Sequence, residues 1–391
     1  MSGKTLKFED GAVQFRQRLI VSILSNRPIL IRNIRCDDLD QPGLRDYEAS
    51  FLRLLDRMTN GSHVEINTTG TQLRFKPGIL LGGDVEHDCP VPEKDHNPNN
   101  TDDDPLHRAR GIGWFLEGIL PLAMFGKEHL HLTLRGITDG TCDMDPSPDY
   151  LQKSILPLLS HFGVGIHEDE AAPPSIRVVK RGASPGGGGQ LEFYCPIVKE
   201  LVPLNLLDPG KFNRVRGNAI TCKVPPSSAA RVAHSAKGLL HRLLPDVWIH
   251  TDVHSSKTCG PSPGLGLVLT AETTTGVVMT AECCLDPTQP RGQELPEDIG
   301  TRGAAMLLEE IRRGGCVDTS AQSLALMLMC LGPEDVARIR MGTLSQYTIS
   351  SLRLFKQALD VEFKIVADHE TKTVILSCLG NGYRNMAKAS S

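Results

Sequence analysis

The stretch VVKRGASPGGGGQLEF, residues 178–193, places four consecutive glycines between two strand-like segments. Lys180 and Arg181 stand immediately before the glycine-containing loop. Glycine adopts positive φ angles without steric cost, and successive backbone N–H groups in such a conformation can bind an anion. The pattern therefore predicts either a phosphate-binding loop or a tight turn between two strands, and both interpretations stay open at this point.

The segments around this stretch belong to an internal repeat. Residues 28–83 and 129–187 share one order of features: a β-rich segment, a loop rich in Asp and Pro, an amphipathic helix, two short strands and a pair of glycines. Both helices are entered through an Asp–Tyr pair, Asp46–Tyr47 and Asp149–Tyr150, and apolar residues then recur at helical spacing. The similarity predicts two copies of one α/β unit.

A third copy occupies residues 337–382, with Tyr347 at the start of its helix. It begins about twice as far after the second copy as the second begins after the first, so a separate segment is inserted between them. The predicted insert covers residues 190–286 and forms a small α/β domain. The large domain then consists of residues 1–189, with repeats 1 and 2, and residues 287–391, with repeat 3.

Two patterns support an independent fold for the insert. Residues 225–244 have the spacing of an amphipathic helix, and residues 265–284 predict a hairpin that turns at Thr275–Gly276. A further helix over residues 297–315 is predicted to return to the large domain.

Composition limits the possible classes of protein. The 391 residues are 40% hydrophobic and 23% charged, which is ordinary for a globular protein. The sequence contains no apolar run near the roughly 20 residues of a membrane span and no secretory h-region at its start, which predicts an intracellular protein without a membrane partner. The 11 cysteines contain no CxxC pair and read as reduced thiols. A net charge of −4 argues against binding nucleic acid through bulk charge.

The segment RGASPGGGGQLEF resembles the signature of the RNA 3'-terminal phosphate cyclase family. FKPGILLGGD (75–84), LRGITDG (134–140), VDTSAQSL (317–324) and the three-copy layout with one insert fit that family as well, so the resemblance covers nearly the whole chain. It implies a mixed α/β (α+β) fold. Three repeated units, each a four-stranded sheet with two helices, form one large domain, and a small α/β domain is inserted.

Active members of this family adenylate a histidine and transfer AMP to an RNA 3'-phosphate, which then cyclises. The sequence departs from that pattern in four places. The N-terminal loop FEDGAV (8–13) keeps one glycine, and acids at positions 37, 38 and 40 replace expected basic residues. The acidic EKDHNPNNTDDD (93–104) replaces a Gly/Ser-rich segment, and Tyr347 stands where the histidine is expected. The resemblance therefore implies that no catalytic residue is retained and no cofactor is needed.

Tyrosine has an ordinary pKa of about 10 and is a poor nucleophile without a neighbouring base. Tyr47 and Tyr150 occupy the same place in their own repeats. The repeat thus favours a packing role for Tyr347.

FRQRL, GIGWFLE and LGNGYRNMAK look like the eukaryotic branch of the family that lacks cyclase activity. That resemblance implies ribosome biogenesis as the function: early pre-rRNA cleavages leading to 18S rRNA, within the small-subunit processome in the nucleolus. The implied partners are a large ribosome-assembly GTPase, other processome proteins and the box C/D snoRNP. Direct contact with pre-rRNA is left open.

The sequence offers two metal-dependent alternatives. Asp102, Asp103 and Asp104 could hold Mg²⁺ in an RNA endonuclease that cleaves pre-rRNA, although their polar Asn/Asp/Pro context is typical of a solvated loop. A zinc site could use His87, Cys89, His96 and His107. The spacing of these residues matches no closed structural zinc site, and no metal is predicted.

Two groups of residues are candidates for binding. The first would hold a phosphate or sulfate through backbone amides and cationic side chains, and the second is a basic stretch in the insert, residues 210–223, suited to RNA or a protein partner. The anion-binding candidates are Arg16, Lys180, Arg181, Gly186, Gly187 and Gly188. The contact candidates are Lys211, Arg214, Arg216 and Lys223.

Overall fold

The computed structural model describes residues 4–91, 109–140, 145–166, 172–285, 294–385 and 387. Within these ranges the chain forms three copies of a βαβαββ unit and one inserted α/β domain. Each of the four contains a four-stranded sheet. The predicted fold class is confirmed, since the sheets are mixed and helices accompany each of them.

The first unit places its helices after its first and second strands. Glu48 closes the start of its second helix, because its carboxylate accepts from the Arg45 backbone N–H at 2.9 Å. The elements are β1 (Leu6–Phe8), α1 (Phe15–Ser25), β2 (Ile29–Ile31), α2 (Asp46–Met58), β3 (Thr59–Asn60), β4 (His63–Ile66), β5 (Leu73–Lys76) and β6 (Ile79–Leu80). The sheet order is β1-β2-β5-β4, and β3 pairs with β6 in a separate two-stranded ribbon.

The second unit repeats this order with a longer first connection. Its second helix begins where the Ser147 hydroxyl accepts from the Tyr150 backbone N–H at 3.1 Å, and a π-helical turn, Leu151–Ile155, interrupts it. The elements are β7 (Gly83–Asp88), α3 (Ile112–Ala123), β8 (Leu130–Gly136), α4 (Pro148–Tyr150), α5 (Leu156–His161), β9 (Ser175–Lys180) and β10 (Gly189–Cys195). The sheet order, β7-β8-β10-β9, matches that of the first unit.

The third unit starts with β11 (Asn205–Leu206) and is interrupted at once by the insert. The insert has two helices and a sheet of order β13-β12-β14-β15. Its elements are β12 (Phe212–Cys222), α6 (Pro226–Leu240), β13 (Asp246–His254), β14 (Gly264–Thr273), β15 (Val278–Cys284) and α7 (Pro296–Arg313). The predicted helix over 225–244 and the hairpin turning at Thr275–Gly276 are both present.

After the insert the third unit resumes with two helices and three strands. They are α8 (Gln322–Cys330), β16 (Val336–Met341), α9 (Gln346–Leu359), β17 (Lys364–Asp368) and β18 (Thr373–Leu379). The order β11-β16-β18-β17 is again that of the other two units. The three-copy layout inferred from the sequence is therefore present in the sheets.

The first helix of each unit lies at the centre of the large domain. Every residue of α8 and all of α3 except Glu117 are buried, and α3 contacts both α1 and α8. A helix that is apolar on all sides belongs in an interior rather than on a surface. None of the helices in the described ranges has the length and apolarity needed to cross a membrane.

Sheet pairing revises the predicted limits of the insert. β10 pairs with β8 and β9, and β11 pairs with β16, so both strands belong to the large domain. The predicted return of α7 to the large domain is wrong, because α7 packs on α6, β14 and β15. The insert accordingly extends from Phe212 to Arg313, rather than from 190 to 286. Strand patterns alone do not show which sheet a strand joins.

Candidate cleft and interdomain clasp

A cavity of about 710 Å³ opens between the large domain and the insert. Its walls come from α1, α3, α7, β15 and the start of α9. The lining contains five carboxylates and three guanidinium groups. The carboxylates belong to Glu117, Asp145, Glu282, Glu309 and Glu310, and the guanidinium groups to Arg16, Arg302 and Arg313. Acidic groups in excess repel the phosphates of a nucleotide or an RNA end.

Arg16 is fully engaged inside this cleft. One guanidinium nitrogen donates to Glu117 Oε2 at 2.9 Å, and the other donates to the backbone carbonyl of Trp114. The guanidinium carbon also lies 4.4 Å from the centre of the Trp114 ring, a cation–π contact. The charge of Arg16 is therefore compensated by its own domain.

Tyr347 faces the cleft from the first turn of α9, which begins where Ser345 Oγ accepts from the Thr348 backbone N–H at 3.1 Å. Tyr47 and Tyr150 have equivalent places in α2 and α4 but are only 7% and 4% exposed, whereas Tyr347 is 39% exposed. The repeat thus predicted the position of Tyr347 correctly. The predicted packing role fits the two buried tyrosines, whereas Tyr347 keeps a substantial exposed fraction at the cleft.

The chemical environment of Tyr347 opposes nucleophilic use. Burial of its hydroxyl and the nearby Glu117 carboxylate raise the pKa of Tyr347 above its ordinary value, although Arg16 acts in the opposite direction. A phenol that holds its proton more tightly supplies less of the reactive phenolate.

The acidic lining of the cleft is not predicted from the sequence. Glu309 and Glu310 lie on α7 of the insert, and each forms an ion pair with Arg313. Asp145 pairs with Arg110 at 3.0 Å. Adjacent glutamates on an amphipathic helix usually indicate a solvated face, so the sequence held no signal that they line a cavity.

The glycine-rich loop, residues 181–189, packs against residues 259–262 of the insert, and only Pro185 and Gly188 of the loop are exposed. Four of its backbone amides already donate to protein acceptors. Gly182 N donates to Thr138 Oγ1, Ser184 N to Asp139 Oδ2, Gly186 N to Ser262 Oγ and Gly187 N to Ala183 O, all within 2.8–3.0 Å. An anion at this loop would have to displace them, and one acceptor is itself a carboxylate.

Close approach of two backbones explains the glycines better than an anion nest. A Cβ atom on Gly260 would lie 1.8 Å from the carbonyl oxygen of Gly187, which is far inside van der Waals contact. Gly187 itself has φ 56°, a conformation that favours glycine. Gly260 must be glycine because the loop and the insert touch through their main chains, and Gly187 because of its positive φ.

Arg181 fastens the same contact through charge. Its guanidinium group makes two hydrogen bonds to Asp149 of the large domain, one of them 2.9 Å long, and a third to Asp252 of the insert at 3.1 Å. Its carbonyl accepts from Gly260 N at 2.7 Å. Arg181 is only 8% exposed. We call residues 181–189 with 259–262 the interdomain clasp.

The predicted anion-binding residues are not all brought together. Arg181, Gly186, Gly187 and Gly188 lie within the clasp, Lys180 is exposed at the end of β9, and Arg16 lines the cleft. Gly188 lies in the exposed part of the loop, with φ 74°.

The predicted basic patch lies along β12, where most of its members have partners. Arg214 Nε donates to Glu272 at 2.8 Å, and Arg216 donates twice to Asp246, at 2.9 and 2.8 Å. Lys223 Nζ donates to the Pro261 carbonyl at 2.8 Å, and Lys211 is exposed at the start of the strand. Cross-strand ion pairs of this kind depend on strand register, which the sequence does not reveal.

Most residues of the two metal-dependent alternatives lie outside the described ranges. Asp102, Asp103, Asp104, His96 and His107 lie outside the described residues. Among the residues that are described, no group of three or more His, Cys, Asp or Glu side chains could hold a metal ion.

His87 belongs to the core of the second unit. It is 3% exposed, and its Nε2 lies 2.8 Å from Ser50 Oγ, with the Phe115 ring centre 5.7 Å away. Burial, assisted by Arg57 and Arg53 and opposed by Asp88, lowers the pKa of His87 from 6.5 to about 4. The imidazole is therefore neutral in the folded protein at physiological pH.

This shift predicts a loss of stability in acid. The unfolded chain binds a proton on His87 near pH 6.5 and the folded chain only near pH 4, so the stabilising contribution is complete above 6.5 and falls as pH drops toward 4. Between pH 7.5 and 5.0 we expect this residue to account for about 2 kcal/mol. Urea unfolding of wild type and His87→Gln at both pH values measures it.

The exposed His234→Gln variant is the matched control and should keep the full pH dependence. Equal acid losses in wild type and His87→Gln would show that other groups cause the effect.

Comparison with known proteins agrees with the fold. A family model described as RNA 3'-terminal phosphate cyclase matches residues 7–365. The RNA 3'-terminal phosphate cyclase-like protein of Homo sapiens is 46% identical over 97% of this chain and 96% of its own length. A probable cyclase-like protein of Dictyostelium discoideum is 44% identical over 98% of this chain and its entire length.

A third relative carries a functional name. The rRNA processing protein rcl1 of Schizosaccharomyces pombe is 40% identical over 99% of each chain. Since the family model and these relatives span almost the whole sequence, the chain belongs to the RNA 3'-terminal phosphate cyclase family and groups with its cyclase-like members.

Proposed function

We propose that this protein acts in rRNA processing as a cyclase-like scaffold that has no cyclase activity. The observation that carries the proposal is the cleft, where carboxylates outnumber guanidinium groups around Tyr347, the residue that the family resemblance aligns with the adenylated histidine. The family fold is retained around that altered cleft. A full-length relative named as an rRNA processing protein supports the process.

The chemistry of adenylation explains why the altered cleft matters. The reaction needs a nucleophile and positive groups that stabilise the charge developing on the phosphates. Tyr347 holds its proton tightly, and Arg16 is committed to Glu117 and Trp114.

The basic residues of the nearby loop between β2 and α2 are compensated in the same way. Arg35 forms two 2.7 Å hydrogen bonds to Glu48, and Arg45 forms one of 2.7 Å to Asp38. Arginine side chains already paired with carboxylates cannot bind phosphate without breaking those pairs.

The finer proposal concerns the assembly in which the protein works. We propose that it acts in the nucleolus, as a component of the small-subunit processome required for the early pre-rRNA cleavages that yield 18S rRNA. A large ribosome-assembly GTPase is its proposed direct partner, with other processome proteins and the box C/D snoRNP nearby. The family resemblance supports this assignment, and a scaffold with a preserved core and an altered cleft suits it.

A labelling experiment tests the loss of catalysis. We expect purified protein incubated with ATP labelled on the α-phosphate, Mg²⁺ and an RNA ending in a 3'-phosphate to show no protein-bound AMP and no cyclised RNA. Tyr347→His is expected to stay inactive, because the surrounding carboxylates remain. An active cyclase of the same family serves as the positive control. Label that disappears in Tyr347→Phe would identify Tyr347 as a nucleophile and overturn the proposal.

A cellular measurement tests the process itself. Depletion of the protein should reduce 18S rRNA, and re-expression of wild type or Tyr347→Phe should restore it equally. Normal 18S rRNA after complete depletion would contradict a role in rRNA processing.

A further inference from the structure

The sheet of the insert has one covered and one open face. Helices α6 and α7 cover the first, where Val247 and Ile249 of β13 enter the core of the insert. Side chains alternate along a strand, so Trp248 and His250 lie on the opposite face. Register places Trp248 beside Arg216 and His250 beside Asn218 on β12.

The large domain contacts this face at β15 and, through the bond from Arg181 to Asp252, near the end of β13. On β15, Thr280 N donates to Asp318 Oδ2 at 3.3 Å, and Ser147 N donates to Glu282 Oε1 at 2.9 Å. β13 is the strand at the other edge of the sheet. Trp248 is 60% exposed there, whereas Trp114, the chain's other tryptophan, is 8% exposed. An indole that exposed loses the hydrophobic stabilisation that burial would give it.

A groove of about 170 Å³ runs between this face and the π-helical turn of the second unit. Its polar lining consists of Lys153, Arg216, Asn218, His250 and Thr270, with no carboxylate. Asp246 compensates Arg216. Lys153 and His250 make no ion pair or hydrogen bond with any described residue, so the groove contains a cation and an imidazole without a partner there. His250 lies on the same face of β13 as Trp248.

We propose that this groove and Trp248 bind single-stranded RNA. One base would stack on the Trp248 ring, and Lys153 would contact a phosphate beside it, with Asn218 and His250 available to base or sugar hydroxyls. Stacking on aromatic side chains next to cations is how proteins hold unpaired nucleotides, and every base has a face that can stack. A duplex keeps its bases stacked internally and offers no such face. The inference rests on the proposed function, which makes pre-rRNA the RNA the protein would meet.

The lining favours RNA over a peptide. Anchors of protein interfaces fill apolar pockets, whereas most side chains that line this groove are polar and Trp248 is exposed on the open face of the sheet. The unpaired Lys153 supplies the positive charge that a phosphate chain needs and an apolar peptide does not.

Fluorescence anisotropy of a labelled 12-nucleotide single-stranded RNA, with the full-length protein at low salt, tests the proposal. We expect Trp248→Ala to weaken binding about 10-fold and Trp248→Phe to retain most of it, because a phenyl ring still stacks. Lys153→Ala should weaken binding and reduce the slope of log affinity against log salt by about one. Lys237→Ala, on α6 at the opposite side of the sheet, is the matched control and should bind as wild type.

Intrinsic fluorescence gives a second readout on the unmodified protein. Since Trp114 is buried, acrylamide quenches mainly Trp248, and bound single-stranded RNA should protect it while duplex RNA of the same sequence should not. Protection by both RNAs, or by neither, would overturn the proposal.

Two results of the anisotropy experiment would also overturn the proposal. One is an RNA affinity that is unchanged in both Trp248→Ala and Lys153→Ala. The other is a loss of RNA binding in Lys237→Ala alone. Either would leave the role in rRNA processing intact, because depletion and measurement of 18S rRNA test that role without reference to this surface.

Discussion

Replacing Arg181 by methionine is expected to lower the free energy of unfolding by about 3–5 kcal/mol, because the change leaves Asp149 buried without its counter-charge. The Asp149 side chain is 6% exposed and that of Asp252 37%, so the first carboxylate carries most of the loss. Methionine occupies a similar elongated volume, which limits any contribution from an empty cavity.

Urea unfolding measures this loss, and Arg216→Met is its matched control. Arg216 also makes two hydrogen bonds to one carboxylate, that of Asp246, but the two side chains are 33% and 42% exposed. Solvent screens such a pair, and its loss should cost under about 1 kcal/mol. Similar losses in the two variants would mean that burial does not distinguish Arg181.

The contacts behind this expected loss indicate that the glycine-rich loop holds the insert against the large domain. Arg181 ties a helix start in the large domain to β13 of the insert, and the amides that follow it are satisfied by neighbouring protein groups. The loop therefore sets how the insert sits on the large domain and, with it, the shape of the cleft between them. An anion-binding loop would instead present free amides to solvent.

The repeat could be derived from sequence because its signals are local. Helical spacing, the tyrosines in the first helical turns and the paired strands after each helix lie within about 50 residues of one another. The three identical sheet orders follow from that common pattern.

The limits of the insert could not be derived in the same way. β10 and β11 have ordinary strand patterns. The partner of β11 is β16, which is distant in sequence, and the pattern of β10 does not show that its partner is β8. Long-range pairing decides the sheet to which each belongs, and no local pattern encodes it.

In the candidate sites, too, features set by local pattern could be predicted and features set by long-range packing could not. Tyr347 was correctly located because the repeat aligns it with Tyr47 and Tyr150. The compensation of Arg214 and Arg216 by acids on neighbouring strands depends on register, and the engagement of Arg16 depends on how α1 packs on α3. The sequence thus shows where the charged residues are but not which of them lack a partner of opposite charge.

Gly260→Ala is expected to destabilise the protein by about 3 kcal/mol, at the upper end of the usual cost of overpacking. The added Cβ would lie 1.8 Å from the Gly187 carbonyl oxygen, and a backbone atom cannot move aside as a flexible side chain can. The loop and the insert would have to separate, which weakens the 2.7 Å hydrogen bond from Gly260 N to Arg181 O.

Gly238→Ala is the control of opposite sign. Gly238 lies in α6 with no atom within 4 Å of an added Cβ, so alanine should stabilise the helix by about 0.5–1 kcal/mol. The double variant Arg181→Met/Gly260→Ala provides a further test. Because both changes open one contact, their combined loss in urea unfolding should be smaller than the sum of the single losses. Strict additivity would show that Arg181 and Gly260 act independently and that the clasp is not a single unit.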